Sequence, residues 1–130
     1  MQPRDLTWRG GRHPFRLGIG ELRALQHATD AGPAHVLGRL QSGEWLVDDV
    51  TETIRLGLTG GGMDRAEATR LVDVHVEDRL GSHVMLATAI IAAALYGVED
   101  DPVGEVSPSG EAEAPAEAMP SLGANGASRG

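Results

Sequence analysis

The stretch Val84 to Val98 is fifteen residues long, carries no charge, and is bounded by His83 on one side and by Glu99, Asp100 and Asp101 on the other. Such a run has to be covered by something. Leu86, Ile90, Ile91 and Leu95 fall at helical spacing among alanines, so the run reads as a helix. It is shorter than the ~20 apolar residues that a membrane span needs. We therefore expect it to be the central helix of a small core, with no membrane partner. The aromatics are Trp8, Phe15, Trp45 and Tyr96 alone, so that core has to be built mainly from Leu, Ile, Val and Ala.

Apolar periodicity predicts what surrounds the helix. Leu6 and Trp8 alternate with Thr7 and Arg9, Phe15 and Leu17 alternate with Arg16, and Gly10-Gly11 lies between, which predicts a hairpin turning on those two glycines. That register sets Trp8 opposite His13 and Leu6 opposite Phe15. One face then holds Leu6, Trp8, His13, Phe15 and Leu17, and it is the face expected to cover the helices. Pro14 would fall opposite Thr7 without an N–H to offer it, which demands an outer edge or a longer loop. Beyond Gly18 the period changes. Ile19, Leu22, Leu25 and Ala28 predict a helix to Thr29 that stops near Gly32, and Pro33 with Val36, Leu37 and Leu40 predicts a second one ending before Ser42 and Gly43. Asp48 or Asp49 is the expected cap of a third, with Val47, Val50, Ile54 and Leu58 inward, Glu52 and Arg55 outward, and Gly60 to Gly62 as its stop. Asp64 and Glu67 form an aspartate version of a capping box for a fourth, whose stripe is Ala68, Leu71, Val72 and His75 or Val76.

The expected fold is thus α+β and mostly α: a short N-terminal β-hairpin packed on a bundle of about five short helices, occupying residues 1–98. Residues 99–130 are rich in Gly, Pro, Ser, Ala and Glu, cannot offset the entropy of ordering, and are expected to form a flexible acidic tail. Charge divides the same way. Twelve acidic residues face ten arginines up to residue 98, and seven face one beyond it. Neither part carries the basic footprint of a nucleic-acid binder. Met1 to Arg12 does not read as a signal peptide, and a chain without cysteine fits a reducing compartment, so a cytoplasmic protein is expected.

Sites for chemistry are poorly supported. The GxGxxG that starts at Gly18 and Gly20 has Arg23 in place of its third glycine, and Gly60 to Gly62 lacks the Gly-Lys-Ser/Thr of a phosphate loop, with Asp64 and Glu67 set to repel an anion. His75, Glu77, Asp78 and His83 have ligand chemistry but not ligand spacing, since His75 and Glu77 point in different directions on a helix. No serine sits in a nucleophile elbow. We expect no enzyme activity, no metal and no cofactor.

The run from Trp45 to Val72, WLVDDVTETIRLGLTGGGMDRAEATRLV, resembles the gene transfer agent protein family counted among phage tail assembly chaperones. Val47 to Val50, Thr53 to Leu58, Gly60 to Met63 and Ala66 to Ala68 carry the likeness. The hairpin, the helix starting near Gly20 and the Gly32-Pro33-Ala34 start extend it over about residues 5 to 98. The resemblance implies a tail morphogenesis factor, an assembly chaperone that binds the tape measure protein and helps tail tube protein polymerise around it, with self-association into a homo-oligomer as a further implication. Family labels also mention the tail tube, so a structural tube component is the competing reading. A helical protein-binding adaptor unrelated to tails is another. The partner surface is expected at Gly60, Gly61, Gly62 and Met63 and on the apolar helix at Leu86 and Ile90.

Overall fold

The structure, a computed structural model, describes residues 2–97; the expected acidic tail lies outside the described residues. The chain is α+β and mostly α, an antiparallel hairpin packed on helices. β1 (Arg4–Trp8) pairs with β2 (Gly11–Phe15), and α1 (Ile19–Thr29), α2 (Pro33–Ser42), α3 (Val47–Gly60), α4 (Arg65–Leu71) and α5 (Val84–Tyr96) follow. Between α4 and α5 the chain winds as a π-turn, Val72–Val76, and then as a 3-10 stretch, Glu77–His83.

The hairpin register differs by two residues from the expected one. Leu6 faces His13, Arg4 faces Phe15 and Trp8 faces Gly11, so Arg9 and Gly10 make the loop and Pro14 lies across from Asp5 rather than Thr7. Positive φ falls on Gly11, at +113°, as in a turn closed by a glycine bulge. A slip of two preserves the side-chain period. Leu6, Trp8, His13 and Phe15 therefore still share the inward face.

Helix ends follow the local chemistry. α1 closes on Asp30 in the left-handed region, and α2 opens with Pro33 in its first turn and closes on Gly43, also left-handed. α3 departs from expectation at its start, because Leu46 is the N-cap and Asp49, at the third helical position, accepts the Leu46 N–H at 2.8 Å. Asp48 is exposed. At the start of α4, Asp64 accepts from the N–H groups of Ala66 and Glu67, while Glu67 turns to Arg70 instead of completing the box. Asp64→Ala is expected to cost about 1 kcal/mol, read as the change in urea midpoint at constant slope.

The central helix is α3, not α5. It contacts every other helix and β2, and it buries Val50, Ile54, Leu56 and Leu58. Burial also corrects the stripes: Val47 and Ile19 are more than half exposed and Ala28 is exposed, while Leu25 and Thr29 are the inward residues of α1. α5 packs on α2, α3 and the 3-10 stretch through Ala87, Ile90 and Ile91. By length and composition alone, the helical run Arg65–Tyr96 could cross a bilayer. It is broken at Arg79, at φ −148° and ψ 66°. The apolar piece, α5, has 13 residues and spans ~20 Å against the ~30 Å of a hydrocarbon core.

Candidate functional site

The triple glycine is where the hairpin meets the bundle. Arg16 N donates to Gly57 O at 3.0 Å, which ties the strand exit to the last turn of α3. A Cβ on Gly60 would come within 1.9 Å of Arg16 O, and one on Gly61 within 2.1 Å of Pro14 O. Gly62 then takes φ +113° in open space, with Met63 N donating to Leu58 O and Gly62 N to Thr59 O, the paired bonds of a Schellman ending. Met63 is half-buried against the core. Of the four turn residues among the six expected to meet a partner, Gly60 and Gly61 thus lie against the backbone of Pro14 and Arg16, and Gly62 alone is fully open.

On α5, Leu86 is half-buried and Ile90 is in the core, its Cγ2 lying 3.2 Å from where a Cβ on Gly57 would stand. The outward apolar residues are others. Met85 is 80% exposed and Tyr96 73%, on the side of the helix away from Ala87, Ile90 and Ile91. Sequence reasoning passed over them because a helix that is apolar all round has no polar face to mark its outside. The eleven-residue spacing, close to three full turns, was the available signal.

Polar groups form three local arrangements. Arg39 chelates Asp49, Nε to Oδ2 at 2.9 Å and Nη2 to Oδ1 at 2.7 Å, and Asp49 is fully buried. The carboxylate, chiefly through this hydrogen bonding, holds the Arg39 guanidinium above its usual range. Along the groove between α3 and the π-turn, Asp73 and Glu77 stand close together, and repulsion from Asp73, with a hydrogen bond between them, raises the Glu77 carboxyl above the ordinary carboxylate range. At the hairpin, Trp8 sits edge-on to His13, His75 and His83, with ring centroids 5.9–6.0 Å away. His75, Glu77, Asp78 and His83 are therefore not gathered at one point. Among the described residues no group of three or more His, Asp or Glu is arranged to hold a metal ion.

A family model described as "Phage tail tube protein, GTA-gp10" matches residues 3–97. The chain matches no curated protein and no solved structure. The family description supports the gene transfer agent and phage tail resemblance carried by Trp45 to Val72. It names the tail tube and not an assembly chaperone.

Proposed function

Because the chain belongs to the phage tail tube protein, GTA-gp10 family, and so to the proteins of phage-like tails, we propose that it serves tail morphogenesis by binding proteins rather than by catalysis. In this role it covers apolar helical segments of the tape measure protein while tail tube protein assembles around them. The observation that carries the proposal is the outer side of α5. This helix has no charged residue, yet leaves Met85 and Tyr96 in solvent. Long flexible Met and amphipathic Tyr suit a surface that accepts varied apolar sequences. The binding takes place in the cytoplasm, with which a cysteine-free chain is compatible.

A structural tube component is the second reading, favoured by the family description itself. Physical considerations weigh against it. Tube rings need sheet closed between subunits, and the described residues offer one two-stranded hairpin.

Co-expression with the tape measure protein separates the two. A soluble complex that survives size exclusion supports the chaperone role, whereas an insoluble tape measure, with this chain alone forming rings or tubes, overturns it. Met85→Glu and Tyr96→Glu are expected to leave thermal stability within about 0.5 kcal/mol of wild type, as exposed substitutions do. The same variants should lower recovery of the complex at least ~10-fold, equivalent to ~1.4 kcal/mol. Undiminished recovery from both would remove α5 as the binding surface.

A further inference from the structure

Trp8 joins the hairpin to the irregular helical stretch, and three imidazoles surround it. Its indole N–H donates to His13 Nδ1 at 3.0 Å. His75, from the π-turn, and His83, from the 3-10 stretch, are also edge-on to the indole. His83 is buried, and its Nδ1 lies 2.9 Å from the carbonyl of Arg79, the residue at which the helix breaks. Phe15 completes the surround.

The indole bond fixes the protonation state of His13. An indole N–H is a donor only, so Nδ1 has to be bare and any ring proton has to sit on Nε2. Adding a second proton turns Nδ1 into a donor that faces a donor, and the bond is lost. Imidazole is the side chain that makes this change near neutral pH. In α4 the Glu67 carboxylate is held below the ordinary carboxylate range, chiefly by its hydrogen bond to Arg70 and to a smaller extent by the charge of His13.

We propose that His13 is a proton-operated latch, which when neutral binds Trp8 and docks the hairpin on the helix break, and when protonated loses that bond and releases it. The charged surroundings are consistent with one sensor. Asp5 and Arg12 pair with each other, their positions alternating with those of Leu6 and His13 along the strands. Asp73 and Glu77 line the groove against α3, Asp78 and Arg79 are exposed, and α5 contributes no charge. His75 and His83 share the indole but neither accepts its N–H.

The test follows the Trp8 indole N–H of the full-length, ¹⁵N-labelled protein by NMR, assigned by comparison with Trp45→Phe. Between about pH 7.5 and 5.5 its exchange with water, corrected for the intrinsic rate, is expected to accelerate about tenfold, the effect of one proton coupled over one pH unit. Amides of β1 and β2 are expected to lose protection with it, while those of α3 do not. In His13→Gln the amide oxygen can still accept the indole N–H but cannot charge, so the hairpin should stay docked throughout. Constant protection in wild type would overturn the latch, and an unchanged transition in His13→Gln would overturn His13 as its sensor.

Discussion

Gly61→Ala is expected to lower stability by about 3 kcal/mol, an overpacking cost at the top of the usual range, and to loosen the hairpin before the helices. The added methyl would stand 2.1 Å from Pro14 O, and in Gly60→Ala 1.9 Å from Arg16 O. Both obstructions are backbone. A flexible side chain could swing away, but these carbonyls are held by strand pairing on one side and by Arg16 N to Gly57 O on the other. The opposing term is helix propensity, which favours Ala over Gly by only about 1 kcal/mol. Gly38 supplies the contrast. It lies within α2 with nothing within 4 Å of its added Cβ, so Gly38→Ala should stabilise by about 0.5–1 kcal/mol. Thermal unfolding followed by circular dichroism reads both signs. A wild-type melting temperature for Gly61→Ala would mean that the hairpin does not sit where described.

These glycines show where the sequence stops being readable. Three in a row after an apolar stripe announce a helix ending, and α3 does end there, because the left-handed position at Gly62 is a local requirement. The contact that forbids a side chain on Gly60 and Gly61 comes from residues more than forty positions earlier, and nothing in the local pattern signals it. The same division runs through the rest of the chain. Gly32-Pro33 and Gly43 bound α2 by backbone chemistry alone, and their positions could be read directly. The inward face of the hairpin was legible because alternation survives a slip of two; the register was not, since Arg9-Gly10 and Gly10-Gly11 are both acceptable loops. From Val72 to Leu80 there is neither glycine nor proline, only apolar spacing that continues α4, so the π-turn left no local mark, while Gly81 and Ser82, which read as the separation of that helix from the apolar run, lie just beyond the break at Arg79. Their partner is Trp8, again distant in sequence. At Ile90 the same limit applies: periodicity set it on a stripe without telling which side of that stripe is covered, and the structure puts Ile90 in the core.

Removing the carboxylate of Asp49 is the other substitution with a large expected effect. Asp49→Ala should cost about 3–5 kcal/mol, the range for deleting one member of a buried ion pair, or a fall in melting temperature of roughly 15–25 °C for a domain of this size. Three donors lose their acceptor together: Arg39 Nε, Arg39 Nη2 and the Leu46 N–H at the head of α3. The Arg39 side chain, 18% exposed in the intact pair, is left beside an empty position, and the central helix loses its first-turn anchor. Asp49→Asn discriminates between these losses. Its amide oxygen can still accept from Leu46, but its NH₂ opposes the guanidinium, so a cost near 1 kcal/mol would assign most of the effect to the cap and one near that of alanine would assign it to the ion pair. A double-mutant cycle with Arg39→Met measures the coupling directly, and the pair is expected to couple by at least ~1.5 kcal/mol. Little dependence on added salt is also expected, because the carboxylate is out of solvent and screening acts mainly on exposed charges. Additive effects of the two substitutions would show that Asp49 acts on α3 alone, and that Arg39 ties α2 to it through packing of its stem rather than through charge.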